Sequence, residues 1–194
     1  MKCLTILVDM DDTIEDLLSA WVSYLNTKHG TSIKKDDVTQ WDISKSFPTL
    51  SREQVYEPLY LDSFWLSVEP IDGAAEILQK LKADGHQVLI VTTSSYETMH
   101  TKMEEVLFKY FPFISWNDVI VTSRKQLVNG DVLVDDGVHN LEGGEYFKIL
   151  MDAPHNRSYS AESNGMMRVY NWGEAYEVIS RYAHSIAEGV DIAV

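Results

Sequence analysis

Apolar and polar positions fall in blocks along this chain, and the period changes from block to block. Residues 3–9 form a short apolar run that ends on acid, Ile6-Leu7-Val8-Asp9; its brevity predicts a strand. Leu17, Leu18, Trp21, Val22 and Leu25 then recur at helical spacing, which predicts an amphipathic helix over about 15–28, stopped by Gly30. From Ile71 the two periods alternate. A helix is predicted over 72–83, with Ala74, Leu78 and Leu81 on one face and Gly85 at its end. A strand follows over 86–91, then a helix over about 96–110 aligned by Met99, Met103, Val106 and Tyr110. Short strands are predicted over 118–121, 131–134 and 147–151, and a closing helix over about 173–187 through Ala175, Val178, Tyr182 and Ile186. Strands alternating with helices make a parallel sheet layered with helices, so the expected class is α/β, a three-layer Rossmann-like core.

Residues 30–70 interrupt that rhythm. They carry Trp41, Phe47, Tyr56, Tyr60, Phe64 and Trp65 among polar residues, with Pro48 and Pro58. Ser51 followed by Gln54 three positions later has the form of a capping box and predicts a helix start. The expected organisation is therefore a core of residues 1–14 and 71–194, with a small helical cap, residues 15–70, inserted after the first strand.

The 194 residues are 45% hydrophobic and 24% charged, which fits one globular domain with an insertion. The net charge of −14 argues against a nucleic-acid polymer as partner, because such a binder needs a basic face. It leaves room for a small phosphorylated substrate, since a metal ion and one or two lysines reverse the sign locally. No apolar run approaches the ~20 residues of a membrane span. The first apolar run is too short for a signal peptide. Cys3 is the single cysteine and is expected to be a buried small hydrophobe. These features predict a cytoplasmic protein with no membrane partner.

Polar clusters stand at three predicted strand ends: 9–13, 92–95 and 135–136. In open parallel sheets, ligands sit beyond the carboxyl ends of the strands. Two carboxylates about 4 Å apart repel by about 4 kcal/mol at an effective dielectric near 20. Asp9, Asp11 and Asp12 thus call for a cation, and hard oxygen ligands suit Mg²⁺. A carboxylate such as Asp9 beside that ion suits nucleophilic attack on phosphorus. Asp11, two residues on and on the same side of an extended chain, suits protonating a leaving oxygen and then activating water. Thr92 offers a hydroxyl, Lys125 a positive charge, and Asp135 and Asp136 extend the acidic surroundings. Thr92, Thr93 and Ser94 suit a helix N-cap equally well, and a helix N-terminus is itself an anion site.

The ordered set Asp9-x-Asp11-x-Thr13, Thr92, Lys125 and Asp135-Asp136 resembles the haloacid dehalogenase superfamily. That resemblance implies Asp9 as nucleophile and Asp11 as acid/base. It implies phosphate contacts from Thr92, Thr93 and Lys125, and Mg²⁺ held by Asp9, the main-chain carbonyl of Asp11, and Asp135. A narrower set is similar to the 5'(3')-deoxyribonucleotidases: Asp9-Met-Asp11, Glu69-Pro-x-x-Gly-Ala74, Ala153-x-His155-Asn156-Arg157, and the step from Lys125 to Asp135. Those enzymes remove phosphate from nucleoside monophosphates and stack the base on aromatic cap residues. Trp41, Phe64 and Trp65 are the candidates for stacking here, with cap-core packing as the alternative for each. Lys102 and Asp136 are candidate substrate contacts; Asp136 alternatively holds a loop. The chain departs from the family pattern at Asp12-Thr13, where Gly-Val is usual, and at Gly137-Val138, where Arg-Pro is frequent.

The expected function is a Mg²⁺-dependent phosphatase acting on a nucleoside monophosphate through an aspartyl-phosphate. Two other readings stay open: a phosphatase of another small phosphomonoester, such as a sugar phosphate, and a non-catalytic module that binds a phosphate ligand. Retention of both Asp9 and Asp11 speaks against the second.

Overall fold

The computed structural model describes residues 2–190. Six strands form one parallel sheet in the order β3-β2-β1-β4-β5-β6: β1 (Thr5–Val8), β2 (Gln87–Thr92), β3 (Val119–Val121), β4 (Val132–Asp135), β5 (Phe147–Met151) and β6 (Met167–Val169). β1 is central, with Leu7 in register with Leu89 on one side and Leu133 on the other. Ile6, Leu7 and Val8 are all fully buried because both faces of the sheet are covered.

Alternating side chains feed two apolar clusters. Ile6, Val8, Val88, Ile90, Val132, Val134 and Ile149 pack with the long helices α4 (Ala74–Ala83) and α7 (Trp172–Glu188) and with Met103, Val106 and Leu107. Leu7, Val91, Leu133 and Leu150 pack on a second cluster made by Leu141 of α6 (Val138–Leu141) and by Tyr146, Ala161 and Met166 from loops. The second layer is thus the thinner one, a single short helix plus connecting chain.

Residues 15–70, between β1 and β2, contain no strand. They run through α1 (Leu17–His29), α2 (Arg52–Tyr56) and α3 (Asp62–Trp65), joined by short 3₁₀ turns. The expected capping box starts α2: Ser51 Oγ accepts from Gln54 N, and Gln54 Oε1 accepts from Ser51 N. The two ends of the insertion are tied together, with Asp16 N donating to Glu69 O at 2.8 Å and Ile71 N to Ile14 O at 2.9 Å. Its apolar residues Leu25, Val55, Phe64 and Trp65 are continuous with the first core cluster.

Several elements differ from expectation. β6 was not anticipated, because Met167-Arg168-Val169 is too short to show a period. The helix expected over 96–110 starts later, at Met99, as α5 (Met99–Thr101) and continues as a π-helical stretch, Lys102–Phe108. Cys3 is exposed rather than buried: it precedes β1, Leu4 takes the inward position, and its thiol faces Gly85 O. Among the described residues, no helix is long and apolar enough to cross a membrane.

Candidate active site

The sheet order reverses at β1, which is flanked by β2 and β4, and such a reversal opens a crevice at the carboxyl ends of the strands. Asp9 leaves β1 there, its N–H bonded to Val134 O at 2.9 Å. The chain then winds around one carbonyl: Met10 O accepts from Thr13 N, Ile14 N and Glu15 N. Within this turn Asp12 adopts φ +54°, the only non-glycine residue with positive φ among those described.

Two lysines reach these acids. Lys125, in the turn Lys125–Leu127, places Nζ 2.5 Å from Asp9 Oδ1 and 2.7 Å from Asp135 Oδ2. Lys102, the first residue of the π-helical stretch, places Nζ 2.5 Å from Asp11 Oδ1, 3.3 Å from Thr92 Oγ1 and 3.4 Å from Thr93 O. The same ammonium lies 4.9 Å from the centre of the Trp65 ring, a cation–π contact.

The paired acids have different surroundings. Both oxygens of Asp135 are engaged: Oδ2 by Lys125, Oδ1 by Gly137 N at 2.7 Å and Asn140 Nδ2 at 3.0 Å. A Cβ at position 137 would lie 2.8 Å from Asn140 Nδ2, so glycine permits this close loop. Asp136 is also buried, but its Oδ1 has no hydrogen-bond donor, and its Oδ2 lies 3.3 Å from His155 Nε2. Asn156 holds the loop through Nδ2, which donates to Asp136 O and Met151 O.

This charge density perturbs the acids. Burial and then Asp135 push Asp9 up to about 7, against the pull of Lys125. Burial, followed by Asp135, Asp12 and Asp9, holds Asp136 well above the usual carboxylate range. Asp11 goes the other way: burial would raise it, but the Lys102 ammonium brings it below its ordinary value. Burial lowers Lys125, yet Asp9 and Asp135 outweigh that and hold it above a normal lysine.

Asp9, Asp135 and Asp136 each offer an oxygen within 4.8 Å of the others. Three buried hard donors, one with a free lone pair on Asp136, fit a small divalent cation such as Mg²⁺.

The acids and lysines open into a cavity of about 770 Å³, whose other wall is aromatic and comes from the insertion. Asp9, Asp11, Thr93, Lys102, Lys125 and Asp136 line its floor; Trp21, Trp41, Tyr56, Tyr60 and Trp65 line its wall. Thr92 lies beneath the floor, fully buried, with its hydroxyl toward Lys102. Of the three aromatic candidates, Trp41 and Trp65 line the cavity, while Phe64 is buried outside it against Tyr24 and Trp65. Trp41 is half-exposed and meets His139 and His155 edge to face, with ring centres 4.4 and 5.0 Å away.

Two contributors escaped the sequence reading. Tyr60 lines the wall with 59% exposure, and no motif singles it out. Glu15 is fully buried beside Asp11 with no donor to either oxygen, and its burial and then Asp11 hold it well above the usual range. The signal available was an acid four residues after Asp11, between Ile14 and Asp16.

Residues 2–185 match the model of a family described as 5' nucleotidase, deoxy (pyrimidine), cytosolic type C protein. A 5'(3')-deoxyribonucleotidase of Bacillus subtilis is 39% identical over 170 residues, covering 87% of this chain and 94% of that protein. One from Clostridium acetobutylicum is 32% identical over 173 residues, covering 88% and 92%. Among solved structures, a haloacid dehalogenase family hydrolase from Deinococcus radiodurans superposes with a TM-score of 0.63 at 13% identity, covering 91% of this chain and 95% of that one. The last likeness shows a shared fold.

Proposed function

The chain belongs to the family of 5' nucleotidase, deoxy (pyrimidine), cytosolic type C proteins, and from that premise we propose that it is a Mg²⁺-dependent phosphatase of deoxyribonucleoside monophosphates, working in the cytoplasm through an aspartyl-phosphate. It is a phosphoric monoester hydrolase on a haloacid dehalogenase fold. The observation that carries the finer reading is the joining of two surfaces in one cavity: a floor of Asp9, Asp11, Lys102 and Lys125, and an aromatic wall.

Asp9 is the nucleophile. Its Oδ1 is held by Lys125, which fixes the carboxylate and screens the approach of an anionic phosphoryl group. Attack by Asp9 on phosphorus breaks the bond to the leaving nucleoside oxygen, which takes a proton from Asp11. Asp11 then takes a proton from water, and that water attacks the aspartyl-phosphate and frees Asp9. Lys102 holds Asp11 in position and, with Lys125 and the Thr93 loop, surrounds the phosphoryl oxygens with positive charge and donors. Asp9, Asp136 and the carbonyl of Asp11 would hold Mg²⁺, with Asp135 oriented by its own donors as the neighbouring acid. When bound, the ion supplies charge stabilisation to the transferring phosphoryl group.

Residues 15–70 act as the cap, and its exposed aromatic residues Trp41 and Tyr60 form the platform for a base. Base–aromatic stacking is worth about 1–3 kcal/mol per base. The test is phosphate release from a panel of deoxynucleotides, ribonucleotides and sugar phosphates, by wild type and by Asp9→Asn. Preference for deoxynucleoside monophosphates and loss of turnover in the variant are expected. Wild-type turnover in Asp9→Asn overturns the mechanism; preference for sugar phosphates overturns the substrate.

A further inference from the structure

Asp12 adopts φ +54°, a left-handed backbone conformation that ordinary L-residues avoid. Asp is among the few side chains that visit this region, because its short polar group bonds locally. Here that group does more than satisfy its own turn. Asp12 Oδ1 accepts from Leu18 N at 2.9 Å. Leu18 lies in the first turn of α1, whose leading N–H groups have no partner within the helix. The next donor, Ser19 N, is taken by the N-cap Asp16 at 3.1 Å. Two carboxylates thus fill successive orphan donors at the positive end of α1.

The two residues joined by this bond belong to different parts of the machine. Asp12 follows the acid/base Asp11 in the turn around Met10 O. Leu18 is the second residue of α1, and Leu17, Leu18 and Trp21 of that helix line the cavity. A glycine would keep the turn and lose the tie.

We propose that Asp12 is a positioning residue that anchors the start of α1 to the Asp11 turn and so sets the cavity wall that receives the leaving group. The inference rests on the phosphatase reading for its kinetic consequence, but the anchor itself is a property of the fold. Loosening the wall removes binding shared by ground state and transition state, which raises KM and leaves kcat.

The experiment compares wild type, Asp12→Gly and Asp12→Asn. Glycine accepts the backbone without strain and deletes the bond; asparagine tolerates the same φ and keeps an acceptor oxygen without the charge. Asp12→Gly is expected to raise KM for a deoxynucleoside monophosphate about fivefold, the weight of one helix-start bond, with kcat within about twofold of wild type. Asp12→Asn is expected to restore KM. Amide hydrogen exchange read by NMR, without substrate, is expected to show Leu18 N–H protected in wild type and Asp12→Asn and deprotected in Asp12→Gly. Equal Leu18 protection in all three proteins overturns the anchor. Unchanged KM in Asp12→Gly, or a fall in kcat with KM unchanged, overturns the positioning role. Absence of phosphate release from wild type counts against the phosphatase reading, and the exchange data still decide the anchor.

Discussion

Lys102 Nζ sits 2.5 Å from Asp11 Oδ1, and the two differ in exposure: the lysine side chain is 1% exposed, the carboxylate 28%. The cation is therefore supplied from inside the protein to an acid that faces the cavity. Trp65 covers the ammonium from the insertion side, and Thr92 Oγ1 and Thr93 O accept from it below. Lys102 is brought there by the π-helical stretch that begins on it. Such stretches are frequent at functional sites.

Replacing Lys102 by Met should lower kcat by about a hundredfold or more, the usual weight of a positioned acid/base group. The variant keeps the apolar stem beneath Trp65 and removes the charge that orients Asp11. Lys102→Arg should fail to rescue, because a planar fork does not fit a site built around a point charge. Steady-state kinetics on both variants, with circular dichroism to confirm folding, check this; wild-type kcat in Lys102→Met would sink the role.

Trp41 and Phe64 should separate cleanly. Trp41 is 56% exposed and lines the cavity, so Trp41→Ala should raise KM for a nucleotide about tenfold, within the range of one base–aromatic stack. Its thermal midpoint should move little. Phe64 is 1% exposed, and Phe64→Ala should cost about 3–5 kcal/mol of stability, as other buried aromatic truncations do. Chemical denaturation and KM measured on the same two variants distinguish the roles; a stability loss in Trp41→Ala with KM unchanged would reassign it to packing.

How much of this was legible follows from which signals are local. The buried strands announce themselves because Ile6-Leu7-Val8 and Val132-Leu133-Val134 are apolar on both faces and end on acid. Their alternation with α4 and α7 gives the sheet. Asp9, Thr92 and Asp135 were legible as polar residues at strand ends for the same reason. Partner choice was not. That Asp135 is saturated by Lys125, Gly137 and Asn140 while its neighbour keeps an open oxygen depends on loop geometry that no spacing encodes. Residues 30–70 were hardest, because short 3₁₀ turns carry no sustained period; Trp41 and Phe64 look alike in sequence and end in opposite environments.

His86 should make stability depend on pH at the end of the sheet away from the site. Its Nδ1 accepts from Leu4 N at 3.1 Å, which requires the neutral ring. Burial lowers its pKa below the ordinary 6.5, against a weaker upward pull from Asp84. The unfolded chain therefore takes up a proton at higher pH than the folded one. Stability should fall as pH drops through 6.5 toward the folded value. His86→Gln, which does not titrate there, should lose less stability than wild type between about pH 7 and about pH 5. Parallel denaturation curves at the two pH values give the difference; identical pH dependence in both proteins would remove His86 as the cause.

Asp135 and Asp136 are neighbours that should respond to removal in opposite ways. Asp135 Oδ2 pairs with buried Lys125, so Asp135→Asn removes one of that lysine's two carboxylate partners and should destabilise metal-free protein, by less than the ~3–5 kcal/mol of a fully stranded charge because Asp9 stays 2.5 Å away. Asp136 Oδ1 has no donor, and burial and its acidic neighbours disfavour its charge, so Asp136→Asn should leave the metal-free thermal midpoint equal to wild type or higher. Mg²⁺ reverses the comparison. An ion that binds only the folded state stabilises it by about 2.7 kcal/mol at a concentration one hundred times its Kd. Wild type should therefore gain thermal stability as Mg²⁺ is titrated and lose that gain with a chelator. Asp136→Asn should show little or no gain, because the open carboxylate oxygen of the Asp9, Asp135 and Asp136 cluster is gone. A full Mg²⁺-dependent rise in Asp136→Asn would show that the ion does not use Asp136, and would return the acidic ligand to Asp135.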